Sequence, residues 1–166
     1  LPVPIVGATS HICLTPVLAL IVGVRRIIWP TFFVLLLQAL FFAHGGLTTL
    51  GVNTLTLGML GPLVTVALWA LLQRLRAHNG LTLAVSCALG GLLVYVADAL
   101  VLAVALSDVA PPMTTFGAVL LGFAPVQIPL AILEAVVSLG LIRLLANRRA
   151  DLLPESLRVL KTPPVS

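Results

Sequence analysis

The chain has 166 residues, of which 60% are hydrophobic and 8% charged, and its mean hydropathy is +1.21. A soluble domain carries about a quarter charged residues, and one of this length would have to leave too much apolar side chain on its surface. The composition excludes a soluble enzyme, a disordered tail and a disulfide-stapled secreted module, and points to a polytopic membrane protein.

A spanning helix needs about 20 mostly apolar residues to cross roughly 30 Å of hydrocarbon. Charges, glycines and prolines divide the chain on that scale. Residues 1–10, LPVPIVGATS, hold two prolines and a glycine and read as an extended entry segment. No basic stretch followed by a cleavable apolar core opens the chain, so no signal peptide is expected.

A first helix is predicted from about His11 to Val24, stopped by Arg25-Arg26, and a second from about Ile27 to Ala43, stopped by His44-Gly45-Gly46. Joining them into one span would bury two adjacent arginines, at roughly 2.5–3.5 kcal/mol each. Residues 45–53, GGLTTLGVN, read as a polar connector. A third helix covers about Thr54 to Leu75, with a kink at Gly61-Pro62. Arg74, Arg76, His78, Asn79 and Gly80 form the next loop. A fourth helix runs from about Leu81 to Leu106. The segment 107–116, SDVAPPMTTF, reads as a turn, because Pro111-Pro112 cannot continue a helix. A fifth covers about Gly117 to Ala146. The tail has one short amphipathic turn and is otherwise exposed.

The expected fold is therefore all-α: a membrane helix bundle of about five spans over 1–146 and a cytoplasmic tail over 147–166. The basic residues support the count. Nine Lys and Arg face five Asp and Glu, for a net charge of +4. They lie in small clusters between apolar runs, unlike a nucleic-acid-binding stripe. Under five-span alternation Arg25, Arg26, Arg74, Arg76, Arg143, Arg148, Arg149, Arg158 and Lys161 all fall on one side, which the positive-inside rule places in the cytoplasm. Leu1, His11, His44 and the 107–116 turn then face outward, in a multi-pass protein of a bacterial or archaeal plasma membrane.

The few polar residues are the candidates for chemistry. His11 and His44 end up on one outer face, at the ends of an antiparallel pair. Imidazole suits nickel, copper, zinc and cobalt, and Thr48, Thr49, Asn53 and Thr54 would supply supporting donors and acceptors. The alternative is two interfacial histidines bonded to backbone. Asp98 and Glu134 lie deep in the fourth and fifth helices, where an ionisable residue is costly. Gln127 precedes Glu134 by seven residues and shares its face. That polar stripe must point into the bundle, as an ion or proton path or as interhelical hydrogen bonding. Cys13 and Cys87 sit in apolar runs without metal spacing and read as buried thiols. Ser10, His11 and Ser86 make no recognisable triad, and no phosphate loop is present. Gly90-Gly91 reads as helix packing.

The segment LLLQALFFAHGGLTTLGVNTLTLGMLGP at 35–62, and AHGGLTTLGVNT at 43–54 in particular, resembles the membrane substrate-binding component of energy-coupling-factor nickel/cobalt transporters, the CbiM/NikM family. FAPVQIPLAILEAVVSLG at 123–140 is similar to that family's last helix, and GATSH at 7–11 to the approach to its metal-ligand histidine. The resemblance covers about residues 1–145. It implies a capture component for Ni²⁺ or Co²⁺ as transported ion, without an ATPase of its own and coupled to a transmembrane scaffold and cytoplasmic ATPases. His11 would be the imidazole ligand. The family's other ligands come from a Met-His start, which is not in this sequence. A second reading is a descendant that keeps the fold and serves as a structural subunit beside other integral membrane proteins. Membrane lipids surround the chain in either case.

Overall fold

In hydrocarbon every backbone N–H and C=O must find a partner inside the protein, so a chain this apolar folds as helices. The structure is a computed structural model and describes residues 12–41, 46–76 and 78–160. Among these there are helices and turns and no strand. Helix α1 is Thr15–Val22 and α2 is Val24–Phe41. Helix α3, Leu50–Leu55, runs through a π-helical turn, Thr56–Leu60, into α4, Gly61–Arg74. Helix α5 is Asn79–Ala105 and α6 is Pro112–Arg148. A 3₁₀ turn, Ala150–Leu152, and a short α7, Glu155–Arg158, follow. Four stretches are long and apolar enough to cross a membrane: Val24–Phe41, Leu50–Arg74, Asn79–Ala105 and Pro112–Arg148.

The expected first helix is much shorter than predicted. Pro16 lies in its first turn, where a missing N–H costs nothing, and Gly23 ends it with φ +91° and an N–H bonded to Ala19 O at 2.9 Å. Its 8 residues reach about 12 Å, too short to cross alone. The turn into α2 is this one glycine, so Arg25 and Arg26 occupy the first turn of α2 and do not terminate α1; both are exposed. Along α2, Ile27, Thr31 and Leu35 are buried at four-residue spacing, while Trp29, Phe33, Leu37 and Phe41 are exposed at the same spacing on another face. The first stripe packs on the bundle and the second is suited to lipid.

The predicted connector 45–53 is helical from Leu50. Threonine hydroxyls explain the difference, because they bond back to the carbonyl four residues earlier and cease to demand water. Thr54 does so to Leu50 O at 2.7 Å, and Thr31 and Thr65 do so to Ile27 O and Gly61 O at 2.8 and 2.9 Å. The predicted kink at Gly61-Pro62 takes the form of the π turn just before it. Pro62 cannot donate to Gly58 O, and the Gly61 N–H reaches back five residues to Thr56 O. Gly58 also lets α2 approach, since a Cβ there would sit 3.4 Å from Thr31.

Pro112, expected in a turn, is the first residue of α6, again where no N–H is lost. The 37 residues of α6 extend about 55 Å, well beyond the hydrocarbon thickness. Pro125 and Pro129 lie within it.

Helix α5 passes between α4 and α6. A Cβ on Gly90 would fall on Thr65 Oγ1 and lie 3.1 Å from Gly61 O, while one on Gly91 would lie 2.9 Å from Glu134 Oε2. One glycine thus faces α4 and its neighbour faces α6. At one end of the bundle Val17 and Leu20 of α1, Trp69 of α4, Leu83 and Cys87 of α5, and Ile142 and Ala146 of α6 share one core cluster. Arg143 and His78 approach each other across Gly80 at this end, so the ends of α4 and α6 and the start of α5 gather Arg74, Arg76, Arg143 and Arg148.

The tail was expected to be exposed apart from one turn. Instead Leu153, Leu157 and Leu160 are buried in that same cluster. Arg158 Nε donates to Leu153 O at 2.9 Å. Arg149 forms a two-pronged pair with Asp151 at 3.0 and 2.9 Å, which holds the Asp151 carboxyl below the usual range.

Two outcomes follow from this packing. Gly90→Ala should lower stability by about 1–3 kcal/mol through overpacking, read by thermal unfolding in detergent, and Thr65→Ala should restore part of the loss. Leu157→Ala should cost about 2–5 kcal/mol of local stability and expose the Arg149 and Arg158 peptide bonds to limited trypsin digestion, with cleavage there well before the helices are cut.

Candidate functional site

Polar side chains buried in a helix bundle must either pair or do work, and here they collect between α5, α6 and the start of α1. Glu134 is 3% exposed, and its Oε1 has no hydrogen-bond partner. Its other oxygen lies over Gly91, where the absent side chain makes the room. Asp98 sits two turns along α5 from Gly91. Its Oδ1 is buried without a partner, and the Thr56 hydroxyl of the π turn lies beside its carboxyl group. Thr56 itself donates to Val52 O at 3.2 Å.

Cys13, just before α1, lies within electrostatic reach of both Glu134 and Asp98. Its Sγ is 3.1 Å from Thr15 Oγ1. Nearer the basic end, the Cys87 thiol lies beside the Ser138 hydroxyl. Thr82 and Ser86 of α5 and Ser138 of α6 are buried with no partner for their hydroxyl oxygens. The interior therefore holds two carboxyl groups flanked by small hydroxyls and thiols.

The sequence-predicted residues divide accordingly. Glu134 is buried, and Asp98, half-buried, turns a buried carboxyl oxygen inward. Gln127 is half-buried on α6. Asn53 lies apart from them on α3, half-buried, with Nδ2 donating to Thr49 Oγ1 at 3.4 Å. His11 and His44, the predicted ligands, lie outside the described residues. Among the described residues no three of His, Cys, Asp and Glu are grouped so as to hold a metal ion. Of the two cysteines expected to be buried, Cys87 is and Cys13 is half-buried.

Two contributors were not foreseen. Thr56 reads as one hydroxyl among many, and only the π turn aims it at Asp98. Tyr95 donates its hydroxyl proton to the carbonyls of Val119, at 2.9 Å, and Leu120. Its ring packs on Phe123 with centroids 5.5 Å apart. It thereby clasps α6 to α5 in the turn preceding Pro125, and nothing in its sequence neighbourhood signals this.

The fold and this interior define a multi-pass membrane helix bundle with a sparsely polar core. Over residues 1–152 the chain matches the family model CbiM, described as the cobalt uptake substrate-specific transmembrane region, and it belongs to that family. It is 37% identical over 167 residues to the cobalt transport protein CbiM of Sorangium cellulosum, covering 98% of this chain and 72% of the relative. It is 37% identical over 157 residues to the CbiM of Geobacter sulfurreducens, covering 92% of this chain but 44% of that one. The chain thus spans under half of the second relative's length. A solved structure described as a truncated transition metal transporter shares the fold, with a TM-score of 0.74 and 23% identity over 87% of this chain and 72% of that one.

Removing the Tyr95 hydroxyl by Tyr95→Phe should cost about 0.5–1.5 kcal/mol and leave helix content unchanged, a combination read by thermal melts alongside circular dichroism.

Proposed function

We propose that this chain is the membrane-embedded capture component for a divalent transition metal, cobalt or nickel, in an energy-coupling-factor ABC transporter. The observation that carries this reading is the family match, which runs through nearly the whole chain. The named relatives are cobalt transport proteins, and imidazole ligation suits cobalt and nickel alike. Capture falls to His11, with His44 as the second imidazole, as the family resemblance implies. Asn53 lies on α3, which follows His44 in sequence, and would support it.

In this arrangement residues 1–146 form the membrane unit and 147–166 the inner tail. The clustered arginines face the cytoplasm by the positive-inside rule. The sequence carries no phosphate-binding loop, so the energy comes from cytoplasmic ATPases, joined through a separate transmembrane scaffold. The cation is the cargo, held on one face and passed inward.

Metal analysis of the purified full-length protein tests the reading. After exposure to micromolar cobalt or nickel the protein should retain bound metal through desalting, and His11→Ala should lose most of it. A metal-free wild type under the same supply would overturn the reading. Copurification with ATPase subunits from gently solubilised membranes is the expected companion result.

A further inference from the structure

Glu134 is the most deeply buried acidic residue described, at 3% exposure, in the middle of α6. A carboxylate there would need a cation or a full set of donors, because an unpaired charge in a low-dielectric interior is strongly disfavoured. Its surroundings supply neither. From α5 it faces the Gly91 backbone and Cys87, with Asp98 two turns further along that helix, and from the start of α1 it faces Cys13. The 3₁₀ turn and α7, which also pack on α6, carry Asp151, Glu155 and Arg158, all exposed around the Arg149 end. On α6 itself Arg143 is exposed and nine residues away, about 13 Å along the axis. Among the described residues no cation faces Glu134, and its Oε1 has no donor. A neutral carboxylic acid, by contrast, fits the niche over Gly91, where any larger residue would collide with Oε2.

We infer that Glu134 is a proton-binding site: the side chain fits the Gly91 niche as the neutral acid, and loss of its proton to water lifts α6 from α5. The geometry supports the second part as well as the first. The carboxyl group lies directly in the α5–α6 seam. A charge formed there can be hydrated only if the seam opens. The seam is otherwise held by small residues, by Leu83 and Ile142 at the basic end, by Tyr95 on Phe123, and by Cys87 beside Ser138. This holds whatever the cargo, so it can fail or succeed independently of metal capture.

The test uses the full-length protein in lipid vesicles and infrared difference spectroscopy across a pH titration. At neutral pH the wild type and Asp98→Asn should both show the carbonyl band of a neutral carboxylic acid, and Glu134→Gln should lack it. Raising the pH should remove the band from the wild type. Gly91→Ala leaves Glu134 in place but displaces its carboxyl group, and should move the band's disappearance to lower pH. A wild type with no such band, or a band that survives Glu134→Gln, overturns the assignment.

The opening is read separately, in a Cys13→Ser background, by the rate at which a membrane-permeant maleimide modifies Cys87. A charge on Glu134 disfavours the neighbouring Cys87 thiolate in the wild type alone and would by itself lower the ratio of wild-type to Glu134→Gln rates, so a rise in that ratio reports the seam opening. That ratio should rise severalfold from neutral to alkaline pH. An unchanging ratio would overturn the coupling of the proton to helix separation.

Discussion

Two adjacent residues without side chains set how closely the central helix can be approached. Gly90 receives Thr65 and the Gly61 carbonyl from α4, and Gly91 receives the carboxyl group of Glu134 from α6. Lipid tails are as apolar as leucine, so burial of apolar surface does little to drive helices together in a membrane. Close backbone approach and dispersion have to do it. A helix that touches two partners through consecutive residues ties their positions to each other. The bundle's interior polar groups are therefore placed by the same contact that holds the bundle together, and Glu134 is at once a packing element and the deepest acid.

The second constraint is that hydrocarbon offers no donors or acceptors. The protein meets it locally wherever it can. Threonines bond back along their own helices, Pro16 and Pro112 stand where no N–H is needed, and Gly23 closes α1 by returning its N–H to Ala19. What local chemistry cannot satisfy is concentrated on the facing sides of α5 and α6. That concentration separates the functional candidates from the structural hydroxyls, although both belong to the same residue types.

Much of this was legible in sequence. Composition alone gave an all-helical membrane chain, and the cores of the long helices follow from hydrophobic length. Asp98 and Glu134 announced themselves because charge is costly at that depth. The errors share a physical origin. GGLTTLGVN looked like a loop because Gly, Thr and Asn favour turns in water, yet from Leu50 onward a threonine bonded back to its own helix removes that preference. Arg25-Arg26 looks like a stop because burying a charge in a span is costly, whereas Gly23 turns the chain and the arginines begin α2 exposed. Pro111-Pro112 looked like a break because the same residue that ends a helix also starts one. The tail looked exposed because its leucines are spaced among charges, and their destination, the cluster around Trp69 and Ile142, is assembled from distant parts of the chain. Thr56 and Tyr95 act through partners too far away in sequence for any local pattern to reveal.

The π turn at Thr56–Leu60 divides one span into two pieces whose rotational phases are independent. The piece before it, α3, turns toward α2, and the piece after it, α4, toward α5 and α1. A residue advances an α-helix by about 100°, so the wide turn works as a phase adapter between two neighbours that an uninterrupted helix could not address together. Losing or gaining one residue there would leave the span helical and the same residues at nearly the same depth. It would swing Asn53 around the axis relative to Thr65 and aim Thr56 away from Asp98. The span's length secures its place in the bilayer, while this single irregular turn decides which faces of its two halves meet the rest of the bundle.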